Sequence, residues 1–425
     1  MIRVGFEEHR LGNGLRVVLS RDASVPVVAI NLWYEVGSRN EREGRTGFAH
    51  LFEHMMFQGS ENVPETVHFA LIEKAGGTLN GSTWLDRTNY FETLPSHYLE
   101  LGLWLEADRM GGLLPAMTQE KLDNQRDVVK NERRWRVDNQ PYGDWDERIQ
   151  AMLYPPDHPY HHSVIGSMAD LDSASLEDVA EFFRTYYAPN NAVLTLCGDF
   201  DPAAAMTLVE RYFGAIPPGP PVPSIPGVAS IPAHIGREVR QVVEQDLALA
   251  RLFLAYRIPA YGMAGHPAAV VASSILTSGK SSMLYRTLVR ERQLAQDVVS
   301  YAFPIVLGVS MMVVWVTARP GVADALLEVA VLEQMEALRR IEPGDLERAV
   351  GLIEAHRLLE LERMEERADL LSLNTMLFGD PGRINSELDE MRAVTAAEVR
   401  DFAGEYLRAD NRCVLWYLPR PGGRK

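Results

Sequence analysis

Thr46-Gly47-Phe48-Ala49-His50-Leu51-Phe52-Glu53-His54-Met55-Met56-Phe57-Gln58-Gly59 is the stretch from which the rest of the chain can be read. Its apolar residues recur at helical spacing, with Thr46 placed to cap the start and Gly59 to end the segment, so one helix of about three turns is expected. His50 and His54 then share a face, roughly 6 Å apart along the axis. Two imidazoles so placed can grip one ion. Glu53, one residue before the second histidine, can border that ion without ligating it, an inverted H-x-x-E-H arrangement. Neutral imidazoles suit zinc, which in catalytic sites keeps an open position for water and lowers that water's pKa to about 7. A nearby carboxylate can take the proton and hand it to a leaving amine. The bland reading is a buried helix whose histidines are merely hydrogen-bonded, and the remainder of the chain decides between the two.

Composition narrows the field. A chain of 425 residues is too long for one ordinary core, and two to three domains are expected. Hydrophobic content of 46% with 24% charged residues describes a well-packed globular protein. The 42 basic and 58 acidic residues leave a formal charge of −16, which argues against nucleic acid or an anionic membrane as a partner. No window offers eighteen uninterrupted apolar residues, so no membrane span is expected. The N-terminal residues Met1-Ile2-Arg3-Val4-Gly5-Phe6-Glu7-Glu8 hold no apolar signal core. A cytoplasmic location is expected of the chain as given, and a periplasmic one if a leader has been trimmed. Cys197 and Cys413 alone support neither a disulfide framework nor a thiolate zinc site.

Taken in order, the chain opens on a hairpin, because Gly12-Asn13-Gly14 separates polar residues from Leu15-Arg16-Val17-Val18-Leu19. Val27 to Tyr34 is a second β-rich run leading to the histidine helix. Glu65 to Ala75 reads as an amphipathic helix ending at Gly76-Gly77. Two short strands of a hairpin follow, Thr78 to Trp84 and Thr88 to Leu94. Leu99 to Met110 and Gln119 to Arg136 are helical, the latter keeping Leu122, Gln125, Val129, Glu132 and Arg136 along one stripe. A third metal ligand must come from outside the histidine helix. Spacing alone leaves Glu106, Asp108, Asp127, Glu132 and Glu147 in contention.

The motifs from Gly47 to Gly59, followed by Gly76-Gly77-Thr78-Leu79-Asn80 and by Val128-Val129-Lys130-Asn131-Glu132-Arg133, resemble the pitrilysin and mitochondrial processing peptidase family of zinc endopeptidases. The resemblance continues through His158-Pro159-Tyr160, Gly166 and Tyr187 to Leu194, and ends at Gly198-Asp199, so it covers nearly the whole first half. It implies one zinc ion per chain, held by His50, His54 and Glu132, with Glu53 as the general base. It also implies that an extended peptide adds to the strand carrying Asn80 and Gly81, whose backbone can pair with it. Relatives often carry a second glutamate seven residues before the zinc glutamate; here Gln125 keeps the hydrogen bonding and loses the charge.

The second half points to duplication. Ile216 to Gly227 holds six prolines, an extended connector of about 35 Å. Beyond it, Thr395 to Trp416 echoes Ser175 to Leu196 at a constant offset of 220, matching Val179 with Val399, Phe182 with Phe402, Tyr186 with Tyr406 and Asn191 with Asn411. The expected fold is α+β, with two similar domains, each a mainly antiparallel sheet covered by helices. The expected division is an N-terminal zinc-bearing domain at 1–216, a Pro-rich linker at 217–230 and a C-terminal domain without the zinc motif at 231–425. In the family such halves form a half-clamshell around the substrate. Gly279-Lys280-Ser281 lacks the earlier glycine of a phosphate loop, with Ser274 in its place.

Single-chain members of the family place an arginine and, seven residues later, a tyrosine in the segment aligned with Ser282 to Gln296, where they hold substrate and stabilise the oxyanion. Here those positions are Val289 and Gln296. The resemblance therefore implies the zinc-bearing subunit of a heterodimer, whose related partner supplies the Arg/Tyr pair, acting as an endopeptidase on short or unfolded peptides. The alternatives are a catalytically silent structural or binding member of the superfamily and a self-sufficient homodimeric peptidase.

Overall fold

The computed structural model describes residues 3–225 and 231–420; the expected linker at 217–230 therefore falls partly, at 226–230, outside the described residues. The chain forms two compact units, each assembled from three segments: unit 1 from Met1–Arg134, His162–Pro226 and Leu358–Ser386, and unit 2 from Trp135–His161, Gly227–Arg357 and Glu387–Lys425. Among the described residues no helix is long and apolar enough to cross a membrane.

Unit 1 is built on strands β1 (Glu7–Arg10), β2 (Arg16–Arg21), β3 (Val27–Tyr34), β4 (Thr78–Thr83), β5 (Thr88–Pro95) and β6 (Ala192–Gly198), in the order β1-β2-β6-β3-β5-β4. Unit 2 is built on β7 (Val239–Gln245), β8 (Arg251–Pro259), β9 (Ala295–Ala302), β10 (Val309–Ala318) and β11 (Arg412–Pro419), in the order β7-β11-β8-β10-β9. Apart from β1, the two orders are the same. In each, one parallel pair (β2 with β6, β7 with β11) is set in an otherwise antiparallel sheet. The sequence echo is the visible part of this duplication: Asn191 donates to the carbonyl of Tyr186, and Asn411 donates to that of Tyr406, each at 2.8 Å. Both amides pin the end of a helix to the strand that follows.

The sheet of unit 1 is buried on both faces, which explains why β3 reads as a near-continuous apolar run rather than an alternating one. Val28, Ile30, Leu32 and Tyr34 face the main core, with Leu51, Phe52, Leu103 and Val129 of the helices on that side. Ala29 and Trp33 face the opposite way, onto the helix Met364–Phe378 through Met364, Ala368, Leu371 and Met376. Asn31 breaks the run for a reason: Asn31, Trp33 and Asn89 all donate to Asp369 Oδ1 of that helix, at 3.1, 2.8 and 3.0 Å. Thus a segment beyond the Pro-rich stretch belongs to unit 1. Unit 2 has the reciprocal arrangement, since Trp145 of the helix Trp145–Leu153 stacks on Phe253 of β8 at 5.4 Å. The units are therefore not contiguous in sequence, as a division at the linker supposes: each sheet has a second apolar face that needs a helix, and each takes it from the other half of the chain. The described part of the linker is tied to unit 1, where Asn190 and Gly219 exchange two hydrogen bonds at 2.7 and 3.2 Å.

Candidate metal centre

The first helix, α1 (Phe48–Met55), buries Phe48, Ala49, Leu51, Phe52 and Met55, which leaves His50, Glu53 and His54 on its other side. Its start differs from expectation. Thr46 does not cap it; the Thr46 hydroxyl donates to Asp170 Oδ2 at 2.6 Å. Instead, the N–H groups of Gly47 and Ala49 donate to the two oxygens of Glu41, at 2.9 and 2.8 Å. A carboxylate at a helix start satisfies free N–H groups and complements the helix dipole. Gly47 has φ 88, a left-handed conformation suited to glycine, and an added Cβ there would lie 2.7 Å from the carbonyl oxygen of Ile165. His162 Nε2 lies 2.9 Å from the same Glu41 carboxylate. Burial opposes protonation of His162, but Glu41 outweighs it and raises the imidazole's pKa.

After α2 (Val67–Lys74) and the β4–β5 hairpin come α3 (Leu99–Ala116) and α4 (Gln119–Arg133). The latter buries Leu122, Gln125 and Val129 and carries Glu132 on the same stripe. Glu132 Oε2 lies 3.3 Å from His54 Nε2 and 3.8 Å from His50 Nε2. The imidazole rings stand nearly perpendicular, with centroids 4.9 Å apart. Zinc bonds of about 2 Å in a tetrahedron require ligand atoms about 3.3 Å apart, so two imidazoles and this carboxylate suit that ion in chemistry and in spacing. Three of the other four carboxylates left open by spacing stand apart from this group. Glu106 makes a two-pronged ion pair with Arg109, Asp108 accepts from Ser60 and Asn62, and Asp127 is exposed.

Glu53 borders the three-residue group. Its Oε2 accepts a 2.6 Å hydrogen bond from the Thr83 hydroxyl of β4. Burial raises its pKa, against the lowering effects of the Thr83 hydrogen bond and of His54. Sequence reading missed Thr83 and Glu41 because neither contact follows from spacing along one helix; both are made across loops or strands. Gly81 lies in the same corner, where an added Cβ would come within 3.2 Å of Glu53 Cγ and Tyr90, and 3.1 Å of Phe57. Glycine there lets β4 lie close against α1. Asn80 is exposed on β4, and its Oδ1 accepts from the N–H of Gly81 at 2.9 Å. Strand β4 ends the sheet, with no further strand beyond it among the described residues.

A second buried group, His68, Glu92 and Glu106, also brings three such side chains within reach of one another. Glu106 is committed to Arg109, and burial pushes the Glu92 carboxyl up to about 8, so Glu92 stands as a neutral acid at lower pH. In unit 2, Val289 is part of the apolar core and Gln296 is exposed on β9, so neither position offers a cation or a phenol. His161 Nδ1 lies 2.7 Å from the Tyr154 carbonyl oxygen, and His162 Nε2 lies 2.9 Å from Glu41 Oε2.

The fold is thus a duplicated α+β one, with His50, Glu53 and His54 on the first helix of one unit and Glu132 on α4. Residues 16–154 match the family model described as Insulinase (Peptidase family M16), and residues 173–352 match that described as Peptidase M16 inactive domain. The chain belongs to peptidase family M16. It is 29% identical over 371 residues to a zinc protease PqqE of Helicobacter pylori, covering 86% of this chain and 79% of that protein. It is 23% identical over 411 residues to a probable mitochondrial-processing peptidase subunit beta of Arabidopsis thaliana, covering 93% and 75%. Among solved structures, a protease from Helicobacter pylori superposes with a TM-score of 0.91 at 27% identity, over 98% of this chain and all of that one.

Proposed function

We propose that this chain is the zinc-bearing subunit of a metalloendopeptidase. The observation that carries the reading is the convergence of His50 Nε2, His54 Nε2 and Glu132 Oε2, with the carboxylate of Glu53 at their border. His50, His54 and Glu132 would hold one zinc ion, which when bound would supply the Lewis acidity that makes a water a usable nucleophile near neutral pH. Glu53 accepts a proton from that water and delivers it to the departing amine nitrogen as the peptide bond breaks. Thr83 holds Glu53 in the rotamer needed for both transfers. Burial, by raising the carboxyl's pKa, makes it a better proton acceptor than an exposed glutamate.

Substrates are short or unfolded peptides that extend the sheet at β4, with Asn80 and Gly81 at the pairing edge. Main-chain pairing of this kind excludes a folded segment and leaves sequence preference to side-chain pockets. Gln125 is buried on the same stripe of α4 as Glu132, seven residues before it, and adds no second negative charge there. The names of relatives support the reading: one is a zinc protease, another a peptidase subunit. Val289 and Gln296 in place of an arginine and a tyrosine favour a heterodimer over a self-sufficient homodimer. The test is metal analysis of the protein beside His54→Ala. One zinc per chain in the former and none in the latter supports the assignment; full zinc in the variant refutes it.

A further inference from the structure

The duplication places the same pocket in both units, and only one copy is filled. In unit 1 the pocket lies between residues 40–48 and the helix Leu176–Tyr186, and it holds two arginines. Arg42 pairs with Glu181 at 3.0 Å; Arg45 pairs with Asp178 at 3.4 Å, and its guanidinium lies 5.9 Å from the centre of the Phe48 ring. About 50 Å³ of space remains. In unit 2 the equivalent helix is Ala396–Tyr406, and the offset of 220 sets Glu398, Asp401, Phe402 and Tyr406 where unit 1 has Asp178, Glu181, Phe182 and Tyr186. The acidic and aromatic wall is therefore kept. The arginines are not.

The reason lies in one loop. Tyr34 and Tyr256 occupy equivalent places on β3 and β8, paired to Ala192 and Arg412, and Gly47 and Gly265 are equivalent left-handed N-caps with φ 88 and 90. Twelve residues join Tyr34 to Gly47, and eight join Tyr256 to Gly265. The shorter loop omits the position of Arg42 and sets Met263 two residues before the capping glycine, where unit 1 has Arg45. What remains is a cavity of about 580 Å³ lined by Met263 and, along the helix, by Glu398, Asp401 and Glu405; Glu398 also accepts from the N–H and hydroxyl of Thr395 at 2.7 and 2.8 Å, and Glu405 lies 3.2 Å from His234 Nε2. No lysine or arginine is among the residues that line it. Its volume lies in the range that takes a ligand of several side chains.

We propose that this unit 2 cavity receives an arginine side chain carried on a short segment of another polypeptide. Unit 1 shows the chemistry: at the positions of Glu398 and Asp401 its carboxylates, Asp178 and Glu181, hold guanidinium groups, with aromatic rings beside them, an environment that favours arginine over lysine. It also shows the mode of delivery, because there the guanidiniums arrive on backbone. A free small cation would leave most of the space left by the shorter loop unfilled. Exposed ion pairs are individually weak, so binding is modest and falls with salt.

The test uses the intact protein labelled at its methionine methyl groups, with the Met263 signal identified through Met263→Leu. N-acetyl-Gly-Arg-Gly-amide is expected to shift the Met263 signal saturably, with the lysine analogue weaker and the citrulline analogue without effect. Asp401→Asn with Glu405→Gln, both exposed and so compatible with folding, is expected to weaken binding by about tenfold. An equal response to the citrulline peptide, no saturable response, or an unchanged affinity in the double variant would overturn the proposal. Agmatine binding about tenfold more tightly than the peptide would overturn the polypeptide occupant in favour of a free cation.

Discussion

Thr83 Oγ1 and Glu53 Oε2 are 2.6 Å apart, a hydrogen bond that ties the edge strand of one sheet to the helix bearing both histidines. The pair couples the strand proposed to take substrate to the proposed base. Replacing Thr83 with Val keeps the shape of the side chain and removes the donor. A hydrogen bond to a charged group is worth about 1.5–3 kcal/mol, so turnover of the gently purified oligomer should fall by about tenfold or more with zinc retained. Because this hydrogen bond lowers the Glu53 pKa, its loss should also move the acid limb of the rate profile to higher pH. Unchanged turnover and an unmoved limb would show that Thr83 does not position the base.

Glu41 should matter more than its distance from any ligand suggests. It accepts from Gly47, Ala49 and His162 while fully buried. Glu41→Ala strands these donors, at about 1–3 kcal/mol each if water cannot reach them. A lower urea midpoint and weaker zinc retention are expected together. A variant with wild-type stability would mean that the start of α1 is held by other contacts.

The Glu92 carboxyl, lifted by burial to about 8 from an ordinary 4.5, stays protonated in the folded chain while it ionises in the unfolded one. Stability from this group is complete below 4.5 and is lost as pH rises towards 8. Burial depresses His68 to about 4 from 6.5, so its contribution is lost in the opposite direction, as pH falls through that range. Glu92→Gln should therefore gain in melting temperature relative to the parent as pH rises across the Glu92 window. A pH-independent difference would contradict the buried neutral acid.

Native mass spectrometry of material from the natural source should find the 47.6 kDa chain joined to a second, related chain. Val289 is enclosed in an apolar core and Gln296 carries no charge, so the proposed heterodimer requires its partner to supply the arginine and tyrosine. A zinc-bearing homodimer with full activity would show that this chain completes its own site.

Much of this was legible from residue patterns, and the exceptions share a cause. The bounds of β3, the β4–β5 hairpin and the stripe on α4 follow from local periodicity, which depends only on neighbours in sequence. The repeat of Ser175 to Leu196 at Thr395 to Trp416 revealed the duplication because both copies keep the same helix-to-strand joint. Spacing could not choose Glu132 among five carboxylates, since the choice depends on how α4 packs on α1. Nor could it show that Met364–Phe378 covers the sheet of unit 1. The unbroken apolar run of β3 says that both faces are buried without saying by what. Thr46 fits the residue preference for a helix cap, but the carboxylate of Glu41, brought in by a loop, takes that place.

The central claim is that Glu53 moves the proton beside a zinc ion held by His50, His54 and Glu132. The most direct measurement is zinc content and hydrolysis of an unfolded peptide by Glu53→Gln, prepared in the same oligomeric form as the parent. One zinc per chain with hydrolysis abolished is the predicted result. Retained hydrolysis at the parent's rate would contradict the account.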